Sequence, residues 1–113
     1  MVMKALRHAQ LEDAIEVYVD GGVRHGADVY KALALGAKAV GVGRPVMYAL
    51  ASHGEAGVTK CMNLLANELH TAMMLMGTPT IADINESTLD TSELLRHAPN
   101  SPSAHRICTN SKL

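Results

Sequence analysis

Asp20-Gly21-Gly22-Val23-Arg24 and Gly41-Val42-Gly43-Arg44-Pro45 stand one strand-plus-helix repeat apart. Each cluster follows a short apolar, β-branched run and leads into a helix-like pattern. Glycines admit backbone N–H groups close to an anion, and arginines present planar charged forks to phosphate oxygens. Two such clusters at consecutive strand ends are how a (β/α)8 barrel builds a phosphate site after its seventh and eighth strands. The fold class expected is therefore α/β: the last two βα units of a TIM barrel, followed by a tail.

Outward from these clusters the pattern is consistent. Ile15-Glu16-Val17-Tyr18-Val19 reads as a strand from its β-branched and aromatic content. Asp28 to Leu35 reads as a helix, with Asp28 at its positive end and Gly36 as its stop. Ala39-Val40-Gly41-Val42 reads as the next strand, which makes a right-handed parallel βαβ unit. Pro45 suits the first turn of a short helix through Leu50.

The longest helix is expected from Glu55 to Met76, with Val58, Cys61, Met62, Leu65, Leu69, Ala72, Met73 and Met76 on one face. Gly77, Thr78 and Pro79 end it. Its methionines read as core filler. Met1 to Asp13 looks like a short helical piece, and Ile81 to Ile84 and Thr91 to Leu95 look like helical turns packing beneath the barrel.

Composition bounds the function. The chain has 113 residues, 48% apolar and 19% charged, so it is globular in character, whereas a full barrel takes roughly 250 residues. A net charge of -1 and the absence of Trp and Phe argue against a nucleic-acid partner. No apolar run has a membrane span's length, and the N-terminus shows no secretory pattern. Cys61 and Cys108 make no metal or redox spacing and read as reduced thiols.

The chain ends in Ser111-Lys112-Leu113, the tripeptide read as a peroxisomal import address, behind a Ser-, Pro-, Asn- and Thr-rich stretch that is expected to be exposed. The organisation expected is a barrel portion over residues 1–98 and a flexible tail over 99–113 whose last three residues engage an import receptor. On this reading the C-terminus is genuine and the missing part of the barrel precedes Met1.

Asp20, at a strand's end, suits ordering loop amides, bonding a sugar-like hydroxyl, positioning Arg24, or simply an Asx turn. Of the six histidines, His25 is the one to watch, because it borders the anion loop and could donate to phosphate when protonated. None of the six has a metal-ligand spacing, and no nucleophile elbow, Walker loop or general base is evident.

Asp20-Gly21-Gly22-Val23-Arg24-x-Gly26, Lys31-Ala32-Leu33-Ala34-Leu35-Gly36-Ala37, Gly43-Arg44-Pro45 and Gly54-Glu55-Ala56-Gly57-Val58 closely resemble the C-terminal part of the FMN-dependent (S)-2-hydroxy-acid oxidases and dehydrogenases. The resemblance runs from about Glu16 to Ile84. It implies a flavoprotein oxidoreductase on a TIM barrel, with FMN as cofactor and a small 2-hydroxy acid oxidised to the 2-oxo acid. By the same resemblance Asp20, Gly21, Gly22, Val23, Arg24, Gly43 and Arg44 contact FMN, the two arginines gripping its phosphate. It leaves room for a homo-oligomer.

Two departures stand out. His25 replaces a second arginine that is usual in the family. The His-Gly-Gly-Arg segment that supplies the family's proton-accepting histidine and carboxylate-binding arginine is absent before Ile15. The catalytic residues are thus expected upstream of Met1, the fragment alone is expected to be inactive, and its alternative is a truncated or interaction product. A peroxisomal address favours an oxidase, while the helix after Glu55 and the stretch through Leu95 look closer to fungal lactate-dehydrogenase types. Another phosphate-binding barrel, such as a nucleotide-processing dehydrogenase, is the remaining reading.

Overall fold

The computed structural model describes residues 2–12 and 14–92. Five regular elements follow in order: α1 (Val2–His8), β1 (Tyr18–Val19), α2 (Gly26–Ala34), β2 (Ala39–Val40) and α3 (Arg44–Met76), then 3-10 turns at Ile81–Asp83 and Glu86–Thr88. The tail over 99–113, its terminal tripeptide, Cys108 and most of the turn expected at Thr91 to Leu95 lie outside the described residues.

β1 and β2 pair in parallel, Tyr18 opposite Ala39 and Val19 opposite Val40. α2 crosses between them, which is the βαβ unit expected. Both strands are shorter than their apolar runs suggested. Each has the other as its sole partner strand among the described residues, and the pairing continues only through Lys38 N–H to the Val17 carbonyl (2.7 Å) and Gly41 N–H to the Val19 carbonyl (2.8 Å). β-propensity does not make a strand without a neighbour to pair with. Tyr18 is accordingly 64% exposed rather than buried.

The core lies where α2 crosses α3. Tyr30 and Ala34 of α2 meet Met73 of α3 and Ile84 of the following turn, with Leu33, Leu69, Ala72 and Leu89 packed around them. Burial of this apolar surface, at roughly 25 cal/mol per Å², is what fixes the helix pair on the sheet. Leu65, Leu69, Ala72 and Met73 thus take the inward face that their spacing indicated, but Met62 and Met76 are 47% and 45% exposed. α2 is only nine residues long and cannot cover both ends of the longer helix.

α3 is two helical pieces rather than one rod. His53 and Gly54 leave helical geometry, dividing the piece that begins at Arg44 from the one that ends at Met76. That matches the expected break between Leu50 and Glu55. Gly77 closes the helix in the left-handed region.

Candidate functional site

The two glycine-arginine clusters meet. Asp20, Gly21, Gly22, Val23 and Arg24 from the end of β1, and Gly43 and Arg44 from beyond β2, line one cleft of about 550 Å³. All seven residues singled out from sequence are therefore in one place. Parallel pairing brings this about, because it puts the C-terminal ends of β1 and β2 side by side and the loop that follows each on the same edge.

Each cluster has its own local cause. Gly21 and Gly22 both hold positive φ, at 92° and 77°, which a side chain would resist, so the chain turns sharply away from β1. Gly43 is the N-cap of α3 with Pro45 in the first turn, and its carbonyl accepts the Val46 N–H at 3.0 Å. The first turn of α3 thus faces the cleft beside Arg44. Val23 is buried at 8% exposure and anchors the first loop to the fold, while Gly21, Gly22, Arg24, Gly43 and Arg44 stay exposed.

Arg24 is held from behind. Its backbone N–H and that of His25 both donate to Asp28 Oδ2, each at 3.1 Å. Those two bonds, Arg24's first, hold the Asp28 carboxyl below its ordinary value. The next amide, Gly26 N–H, donates to Glu68 Oε2 of α3 at 2.7 Å. Among the alternatives open for Asp20, ordering this backbone falls to Asp28 instead. Asp20 packs its Cβ toward Gly41.

His25 borders the loop beside Arg24, as expected. It does not line the glycine-arginine cleft. Its Nδ1 lies 3.5 Å from Glu68 Oε2, and it borders a neighbouring cleft with Ser52, His53 and Lys60. As the N-cap of α2 its side chain is turned toward α3, so the nearest acceptor is a carboxylate of this chain.

Sequence reasoning passed over three residues of the site. Tyr48 borders the cleft one helical turn after Arg44, and its i, i+4 spacing was the available signal. Asp28 follows His25 by three, the spacing of an N-terminal cap, although its sequence position alone suggests only a charge on the helix dipole. Glu68 lies 42 residues from the amide it accepts, a tertiary meeting that no local pattern announces. Among the described residues no cluster of three His, Cys, Asp or Glu side chains stands ready for a metal ion, and no helix is long and apolar enough to cross a membrane.

A cytochrome-linked L-lactate dehydrogenase of Wickerhamomyces anomalus is 46% identical over 97 residues, covering 86% of this chain and 17% of that protein. Human 2-hydroxyacid oxidase 2 is 51% identical over 86 residues, 76% of this chain and 24% of the relative. A flavocytochrome b2 structure with sulfite bound superposes with a TM-score of 0.81 at 40% identity, covering 98% of this chain and 29% of that one. The chain thus spans about a quarter or less of the length of the curated relatives it matches. The family model for FMN-dependent dehydrogenases matches residues 1–91. By that match, and by the shared fold, the chain belongs to the FMN-dependent dehydrogenase family.

Proposed function

We propose that this chain forms the last two βα units of a (β/α)8 barrel, over residues 1–98, and supplies the phosphate-holding strand ends of an enzyme that oxidises a small 2-hydroxy acid to the 2-oxo acid. The observation that carries the reading is the single cleft shared by Gly21, Gly22, Arg24, Gly43 and Arg44. Its donor set suits FMN. A phosphate dianion calls for N–H donors on positive-φ glycines and for guanidinium forks, and both kinds are present. Asp20, the one carboxylate on the cleft, suits a ribityl hydroxyl rather than the phosphate, because it accepts but cannot donate when ionised. When bound, FMN supplies the acceptor for a hydride equivalent.

In this reading Arg24 and Arg44 neutralise the phosphate from two strand ends, Gly21 and Gly22 let it approach the main chain, and Val23 fixes the loop. An oxidase acting in the peroxisome is part of the proposal, supported by the likeness to the peroxisomal (S)-2-hydroxyacid oxidase GLO4 of Arabidopsis thaliana, 49% identical over 90 residues. FMN and riboflavin differ only by the phosphate, so they isolate its contribution. Fluorescence-quenching titrations of the purified chain should give an affinity for FMN at least about tenfold above that for riboflavin. Equal affinities would overturn the assignment of the cleft. Turnover is tested by placing residues 1–91 in the matching stretch of human 2-hydroxyacid oxidase 2. The chimera should retain flavin and oxidise 2-hydroxy acids; a folded, flavin-free chimera contradicts the proposal.

A further inference from the structure

The first turn of a helix ordinarily offers free N–H groups to an anion, and the N-terminus of α2 stands directly beside the cleft. Here three amides at that end are already engaged: those of Arg24 and the N-cap His25, which precede the helix, and that of Gly26, its first residue. Asp28 Oδ2 accepts the Arg24 and His25 amides, both at 3.1 Å, and Glu68 Oε2 accepts the Gly26 amide at 2.7 Å. Two carboxylates of the chain itself therefore face this helix end. Both also set an unfavourable charge there for any anion.

We infer that Asp28 and Glu68 are positioning residues: they set two carboxylates against the N-terminus of α2 and fix the Arg24 backbone, so that this strand end meets an anion with the Arg24 side chain and the Gly21–Gly22 amides. The inference rests on the cleft being a phosphate site. It deepens that reading by saying which groups do the binding and what orients them. The role of Asp28 is through Arg24, since Asp28 is not on the cleft wall. The fold supports the arrangement from the far side as well. Gly26 lies so close to α3 that a Cβ there would come within 2.6 Å of the Glu68 Cβ, which locks the carboxylate carrier against the loop. The depressed titration of Asp28 keeps it ionised at neutral pH, as an acceptor-only cap requires.

The test is a pair of amide-resolved NMR titrations of the ¹⁵N-labelled chain with FMN and with riboflavin, repeated on Asp28→Ala and Asp28→Asn. In the unsubstituted chain, FMN but not riboflavin should shift the Gly21, Gly22 and Gly43 amides and leave those of Arg24, His25 and Gly26 nearly still. Asp28→Ala should cut the FMN-over-riboflavin preference roughly fivefold, the usual scale for a lost cap, while leaving riboflavin affinity unchanged. Asp28→Asn keeps an acceptor oxygen and should retain most of the preference. If the Arg24 and His25 amides shift most on adding FMN, the helix end takes the phosphate and the inference falls. It also falls if Asp28→Ala folds and keeps the full preference. Should that variant not fold, the amide pattern of the unsubstituted chain still decides. Equal affinity of that chain for FMN and riboflavin would instead remove the phosphate site itself.

Discussion

Asp20 and Gly41 hold the two strand ends in contact: a Cβ built on Gly41 would stand 2.9 Å from the Asp20 Cβ. Real Cβ atoms do not come so close, and the Asp20 atom is the root of its side chain rather than a flexible tip. The first residue after β2 must therefore be glycine for the ends of β1 and β2 to lie side by side. Gly41→Ala should destabilise the chain by about 1–3 kcal/mol, the range for forcing a methyl into a packed contact. It should also spread the cleft and weaken FMN binding, because Asp20 begins the loop that carries Arg24. Urea melts and FMN titrations of the variant check both effects. An unchanged midpoint would show that the strand ends have room to move.

A tighter contact secures the opposite end of that loop. A Cβ on Gly26 would collide with the Leu69 main-chain nitrogen and come within 2.6 Å of the Glu68 carbonyl carbon. Main chain of a long helix cannot step aside as a side chain can. Gly26→Ala should cost more than about 3 kcal/mol, above the range for Gly41→Ala, and separate α2 from α3. Glu68→Gln keeps an acceptor for the Gly26 amide and should cost no more than about 1 kcal/mol. Denaturant midpoints of the three variants should fall in that order.

The sequence made the site legible because its parts are local. Positive-φ glycines, the cap at Gly43 with Pro45 behind it, and the arginines after each cluster are short-range signals, and the structure brings them to one cleft. The break at His53–Gly54 and the stop at Gly77 were legible for the same reason. What sequence missed depends on partners. Strand length failed because Ile15 and Val42 lie in β-favouring runs that acquire no ladder of their own. The direction of the His25 side chain was not legible, because Glu68, which it faces, is remote in sequence. Met62 and Met76 were put inside by periodicity, whereas burial follows the reach of the nine-residue helix that covers α3.

The arginines should prove unequal to lysine. A guanidinium meets two phosphate oxygens at once, whereas an ammonium is a single point of charge. Arg44→Ala should weaken FMN binding about 50-fold, and Arg44→Lys about tenfold, with riboflavin affinity unmoved in both. Arg24→Ala should act like Arg44→Ala. The FMN affinity of the unsubstituted chain should fall as salt rises, and the fall should be shallower in either alanine variant. Loss of riboflavin affinity in parallel would mean that the substitution had damaged the fold instead.

Acid should uncouple the α2 cap before it unfolds the core. Asp28 titrates below its ordinary value of 3.8 because the Arg24 and His25 amides favour its charged form. A group whose folded value is depressed lends its full stabilisation above the ordinary value, and loses it as pH falls through the depressed folded one. The difference in thermal midpoint between the unsubstituted chain and Asp28→Asn should therefore be constant from neutral pH down to about pH 5 and shrink toward about pH 3. A difference that already shrinks near neutrality would place the responsible proton on another group.

Tyr30 joins the buried side of α2 to the chain after α3. Its hydroxyl donates to Thr88 Oγ1 at 3.1 Å, while Thr78, itself buried, hydrogen-bonds the Met73 carbonyl at 3.2 Å and reaches the Tyr30 oxygen at 3.5 Å. Tyr30→Phe removes this bridge without opening a cavity. Thr88 keeps a bond to the Asn85 carbonyl at 2.8 Å, and Thr78 keeps its bond to Met73, so neither hydroxyl is orphaned. The expected cost is about 1 kcal/mol, well short of the penalty for truncating the ring. Tyr30→Ala, which empties the centre of the cluster with Ala34, Met73 and Ile84, should cost about 3–5 kcal/mol. Because Tyr30 lies on the face of α2 away from the cleft, Tyr30→Phe should leave the FMN-over-riboflavin preference intact. A preference lost together with so small a change in stability would show that the core, and not the loop, sets the position of Arg24.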